Sequence, residues 1–151
     1  QGNWIKKNHQ ILAGMRSQYD SDFGWHNALR LSAMKNFTFQ SGKLQWRAGI
    51  GQSYRVPNLK ERFYTFDHSA LGYKVLGNKD LQPETADSIN SSLTFNTTLA
   101  NNTLDLRSDI SVHYSKTTDL IDPIVDDKLS AEQGIEVHQY QNISEDTIQG
   151  L

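Results

Sequence analysis

His68 stands in the run Phe66-Asp67-His68-Ser69, with Phe63, Tyr64 and Tyr73 close by in sequence. An imidazole is a common metal ligand, and rings so near it could stack on a flat aromatic ligand. The plainer alternative is a loop histidine that is hydrogen-bonded locally or exposed. A second group, Asp119, Asp122, Asp126 and Asp127, offers the oxygens that a hard cation such as calcium takes, although a solvated acidic loop explains the same residues. Asp109, Ser111 and His113 have the residue types of a nucleophilic triad. They alternate along one strand face, too far apart for that chemistry, and read as polar wall residues. The chain has no cysteine, which excludes disulfides and thiolate metal sites. Asn36, Asn90, Asn96, Asn101 and Asn142 fall in N-x-S/T triplets, which a wall face rich in Asn, Ser and Thr explains.

The elements that must position these residues are strands. Between Lys43 and Tyr54, Leu44, Trp46, Ala48, Ile50 and Tyr54 share one face, broken only by Gln52, while Gln45, Arg47, Gly49, Gly51 and Ser53 share the other. The same period of two runs through Thr103–Ser115, Asp87–Phe95, His9–Tyr19 and Asn27–Phe39, and more weakly through Gln141–Leu151. Ten such residues reach about 33 Å, against about 17–20 Å for an ordinary soluble strand, and a strand tilted near 45° at that length crosses an apolar bilayer band. Trp4, Tyr19, Trp25, Phe39, Tyr54, Phe95 and Tyr114 stand towards strand ends, as interfacial girdles would.

The connections alternate as well. Gln40-Ser41-Gly42 and Thr97–Asn102 are short polar turns, whereas Arg55–Glu84 and Thr117–Tyr140 are long. Short turns at one side and long loops at the other are how a membrane barrel is wired. No run of about 18 apolar residues marks a transmembrane helix, and the mean hydropathy of -0.62 is compatible with a wall that shows lipid only every second residue. Lys plus Arg total 15 against 17 for Asp plus Glu, a net charge of -2, with no clustered basic surface for nucleic acid.

Four segments then carry a family resemblance. Gly49-Ile50-Gly51-Gln52-Ser53-Tyr54-Arg55-Val56-Pro57-Asn58-Leu59-Lys60-Glu61 resembles the "FRAP" box of TonB-dependent receptors, and Gly77-Asn78-Lys79-Asp80-Leu81-Gln82-Pro83-Glu84-Thr85 resembles the "NPNL" box that follows it. Lys79 stands where proline is usual. His9–Arg16 is similar to the upstream strand that ends in "GLR", and Tyr114–Ile121, Tyr140-Gln141-Asn142 and Gln149-Gly150 are similar to the downstream run. Together they cover essentially the whole chain.

The resemblance implies an all-β fold: an antiparallel segment of a transmembrane β-barrel, about six long strands of about 22, with long extracellular loops. The first box ends one strand and the second opens the next, with Arg55 and Glu84 able to pair across the loop base. It implies a piece spanning 1–151 of a receptor whose plug domain, TonB box and closing barrel strand lie elsewhere. Function would be active uptake of an iron chelate across the bacterial outer membrane, without covalent chemistry or a resident cofactor. Partners would be the TonB complex acting through the plug, a ferric siderophore or haem, and outer-membrane lipid. Haem would use His68 as an axial iron ligand, with Tyr64, Phe66, Tyr73 and Arg55 around the ligand. Two other classes remain to be tested: a soluble carbohydrate-binding β-sandwich, and a passive porin or barrel enzyme. Gly49 and Gly51 fit either close packing of a plug or barrel curvature.

Overall fold

The computed structural model describes the backbone of residues 2–6, 8–99 and 104–151, with side chains from residue 8 onward. Its strands are Gly2–Lys6 (β1), His9–Asp20 (β2), Gly24–Phe39 (β3), Gly42–Arg55 (β4), Thr65–His68 (β5), Tyr73–Leu76 (β6), Glu84–Leu99 (β7), Leu104–Val125 (β8) and Glu136–Gly150 (β9). Two short helices, Leu59–Phe63 (α1) and Asp127–Gln133 (α2), lie in the connections. All strands form one sheet in the order β1-β2-β3-β4-β7-β8-β9-β6-β5. Neighbours pair antiparallel except β6 and β9, which run parallel.

The six long strands expected from the alternation are β2, β3, β4, β7, β8 and β9. Their register confirms the faces. Leu31, Ile50, Ile89 and Tyr114 fall in one cross-strand row, and Trp46, Leu93 and Ile110 in another. On the reverse face, Ser32, Gly49, Asn90 and His113 make a row, as do Arg30, Gly51, Ser88 and Ser115.

Burial is inverted relative to a soluble protein. The buried aliphatic side chains among the described residues are Leu81, Ile121 and Val137, while Met15, Leu29, Ile50, Ile89 and Ile110 are exposed. A sandwich would cover this apolar face with a second sheet; among the described residues there is one sheet and nothing over it. Contiguous apolar surface on this scale calls for a non-aqueous neighbour. Even the indole on this face is satisfied within it: Trp46 Nε1 donates to Ser91 Oγ at 3.0 Å.

The turns sort by end. β1, β3 and β7 end at one side, where each next strand begins within five residues. The β4–β7 and β8–β9 connections lie at the other, with the three-residue β2–β3 turn beside them.

Several expectations change. The 117–140 stretch is not one long loop: β8 continues to Val125 and β9 begins at Glu136, so the connection is 126–135 with α2 in it. β-Branched and aliphatic residues at Thr117, Thr118, Ile121, Ile124 and Val125 favour the extension. Pro123 is tolerated there because β7 pairing ends at Thr118, leaving β8 paired only with β9 at that height. Tyr114 consequently sits in mid-strand, not near an end. Tyr54 is not a girdle residue either. It is half-buried and stacks on His26 at 4.4 Å between ring centroids. Tyr19 and Trp25 do form an exposed pair at the loop end, 5.4 Å apart, and Phe39 is exposed at the turn end. The Trp4 side chain and Asn101 lie outside the described residues. The space above Gly49 is taken by its cross-strand neighbour: a Cβ there would meet Asn90 Oδ1 at 3.1 Å.

Candidate functional site

The long connection from β4 to β7 is a folded unit. β4 stops at Arg55, two residues before the buried Pro57, whose missing N–H cannot continue a ladder. Asn58 then caps α1. Its Oδ1 accepts the Glu61 N–H at 2.9 Å, and its own N–H donates to Glu61 Oε2 at 2.8 Å, a reciprocal capping box. Leu59, the first residue of α1, is exposed. The β5–β6 hairpin follows, closed by a 3-10 turn, Ser69–Leu71, and by Gly72 with φ of 87°. Gly77 and Asn78 bring the chain back onto α1 through N–H bonds to Tyr64 O and Glu61 O, both 2.8 Å. A Cβ on Gly77 would meet the Phe63 nitrogen at 2.8 Å, so only glycine fits this crossing. Asn78 caps a tight bend through Asp80 N–H at 2.9 Å, Leu81 is buried, and Pro83 immediately precedes β7.

Arg55 and Glu84 are register partners at the base of this unit. The guanidinium meets Glu84 twice, at 2.7 and 2.6 Å, and Glu61 through Nη1 at 2.8 Å. Glu61 is buried. Both lie above the apolar series of β4, which ends at Ile50. Hydrogen bonding to Glu84 raises the Arg55 pKa further above its ordinary value, so it stays charged. Burial alone would raise the Glu84 carboxyl, but Arg55 and the Ile121 N–H outweigh burial and hold it below the ordinary range. Arg55, expected among the ligand-contacting residues, is thus committed to two carboxylates and anchors the loop.

Two further clamps fix the unit laterally. Arg62 pairs with Asp22 in the β2–β3 turn and lies between the rings of Phe23 and Phe63, at 5.1 and 4.8 Å. On the far side, Asn142 of β9 accepts the Gln82 N–H at 2.9 Å and donates to Gln82 O and Asp119 O at 3.0 and 2.8 Å. Asp119 presents that carbonyl from a left-handed backbone, φ 57°.

The residues singled out around His68 do come together. Ring centroids are 6.4 Å apart for Tyr64–Phe66, 4.1 Å for Phe66–His68, 6.3 Å for Phe66–Tyr73 and 5.3 Å for His68–Tyr73. His68 Nδ1 lies 3.1 Å from the Tyr73 hydroxyl, and its Nε2 has no hydrogen-bond partner among the described residues. The reverse face of the hairpin carries the Asp67–Lys74 pair at 3.5 Å.

Sequence reasoning missed Glu136 and His138. Parallel pairing sets Tyr73 beside Glu136 and Val75 beside His138, so β9 completes the hairpin's aromatic face; nothing local in the sequence announces that contact. The acidic group does not gather into a cation site: Asp126 caps α2, and among the described residues no three His, Asp or Glu side chains are placed to hold a metal. Asp109 is held by Arg107 and Thr94, at 2.8 and 2.6 Å, away from any triad geometry. A concavity of 690 Å³ is an open furrow among Leu29, Leu31, Ile50, Ile89 and Tyr114 of the apolar face, apart from the loop unit.

Comparison with known proteins agrees with this architecture. A search of curated proteins finds no match. The crystal structure of the siderophore receptor PirA from Pseudomonas aeruginosa superposes with a TM-score of 0.78 at 19% identity, over 98% of this chain and 28% of that one. The present chain therefore spans little more than a quarter of that receptor, and at this identity the likeness speaks for the fold. The family described as TonB dependent receptor-like, beta-barrel, matches residues 1–151. With its single antiparallel wall, its FRAP-like and NPNL-like boxes joined at Arg55 and Glu84, and a family match over its full length, the chain belongs to the β-barrel of the TonB-dependent receptors.

Proposed function

We propose that this segment is wall and ligand-facing loop of an outer-membrane receptor that takes up a ferric siderophore. On this reading the apolar face meets outer-membrane lipid, the short turns face the periplasm, and the loop end is extracellular. Energy comes from TonB acting through a plug domain inside the barrel. The protein moves its ligand and makes or breaks no covalent bond in it.

The observation that carries the reading is the cluster of Tyr64, Phe66, His68 and Tyr73 on a hairpin pinned by Arg55 and Asn142 at the loop end of the wall. Preorganised rings recognise a bulky chelate without ordering a loose loop. Uptake of radiolabelled ferric siderophores by iron-starved cells tests it. Tyr73→Ala or Phe66→Ala lowers apparent affinity by about tenfold, the scale of one lost aromatic contact. Receptor-independent uptake of every chelate offered would refute the reading.

Haem is the second reading, favoured by one detail. Tyr73 holds His68 at Nδ1, and among the described residues Nε2 has no hydrogen-bond partner, as an axial ligand requires. A Soret shift in a haemin titration that His68→Ala abolishes would assign haem; an unchanged spectrum would return the ligand to the siderophores.

A further inference from the structure

The ligand face has a charge as well as a shape. Register places His68, Tyr73 and Glu136 in one row, and Phe66, Val75 and His138 in the next, all on one side of the β5–β6–β9 sheet. With strands about 4.8 Å apart, Glu136 stands within about 10 Å of His68 across Tyr73. Its carboxylate is exposed, with His138 Nε2 at 2.6 Å.

The cations of the loop are directed elsewhere. Arg55 faces Glu61 and Glu84, and Arg62 faces Asp22. Lys74 meets Asp67 on the reverse face, and Lys79 rests 5.7 Å from the Phe63 ring centroid. Among the described residues Lys60 has no such partner, and it belongs to α1 and not to either row. No Lys or Arg of that loop therefore stands in the aromatic rows, whereas the Glu136 carboxylate does, with His138 as its neighbour.

We infer that this face selects an aromatic ferric chelate carrying no net negative charge: Phe66, His68 and Tyr73 stack on its rings, and Glu136 turns away polyanionic chelates. The inference rests on the iron-chelate reading and narrows its ligand class. Like charge across a contact disfavours the wrong ligand more than it strengthens the right one. A carboxylate beside rings also favours ligands that present donor groups or a partial positive edge.

A matched pair of probes tests this. Three hydroxypyridinonate ligands give a neutral ferric complex, and three catecholates give a trianionic one of the same size and aromatic character. Binding of both to the detergent-solubilised full-length receptor is measured by quenching of tryptophan fluorescence. The neutral complex is expected to bind about tenfold tighter. Glu136→Gln narrows that ratio severalfold, and Glu136→Lys narrows or reverses it. Phe66→Ala weakens both complexes alike. Equal or tighter catecholate binding, or a ratio indifferent to both Glu136 substitutions, overturns the charge selection and leaves iron-chelate uptake standing. Binding of neither complex overturns the iron-chelate reading itself.

Discussion

Asn142 holds the backbone of Gln82 from both sides, its Oδ1 accepting the Gln82 N–H at 2.9 Å and its Nδ2 donating to the Gln82 carbonyl at 3.0 Å. A side-chain amide used this way copies a strand pairing where no strand exists. The same Nδ2 reaches Asp119 O at 2.8 Å, so one residue ties the end of the loop to the left-handed residue of β8.

Asn142→Ala removes these bonds, with backbone groups left to find water. The expected cost is about 1–3 kcal/mol, confined to the loop. Hydrogen exchange should quicken at Gln82 while the amides of β3 and β4 remain protected. Uniform loss of protection across the sheet would show that Asn142 supports the wall and not the loop.

Arg55→Lys keeps the charge but not the fork. A single ammonium cannot meet Glu84 at two oxygens and Glu61 as well. Since the Arg55 side chain is 44% exposed, solvent screening moderates the loss to about 1–2 kcal/mol. Protease nicking between 56 and 83 should rise in the variant. Unchanged resistance would transfer the anchoring role to Asn142 and Arg62.

Glu84 sets the pH range of this anchor. Its carboxyl is held below the ordinary value of 4.5, with burial opposing and Arg55 and Ile121 N–H prevailing. A depressed folded-state pKa contributes stability that is present above the unfolded pKa and lost as pH falls through the folded one. The loop should therefore stay closed through neutral and mildly acidic pH and open only below the usual carboxylate range. Protection of the Ile121 amide, corrected for intrinsic exchange, follows this directly. Opening already at neutral pH would show that Glu84 does not set the range.

Much of the wall was legible because a strand writes its two faces into alternate residues. Leu44, Trp46, Ala48 and Ile50 declare one side of β4 without help from any other strand, and Pro57 and Pro83 mark where ladders cannot run. The aromatic cluster was legible for a related reason: Phe66 and His68 are two residues apart, and a hairpin brings Tyr73 opposite. The parallel β6–β9 contact was not. It joins segments separated by two long strands, and neither Glu136 nor His138 differs locally from any exposed strand residue. The role of Arg55 was half visible. Pairing with Glu84 follows from the loop base, but the capping box that turns Glu61 inward depends on Asn58, and only the folded turn shows it.

Every strand has two edges to offer. At His138 and Gln139, β9 faces β8 on one side, where Val125 meets His138 and Ile124 meets Gln139, and β6 on the other. Both edges are taken at that height. The rim of the described wall is therefore stepped: β8 and β9 rise as a parapet past the height where β7 begins, and the aromatic face crowns that parapet.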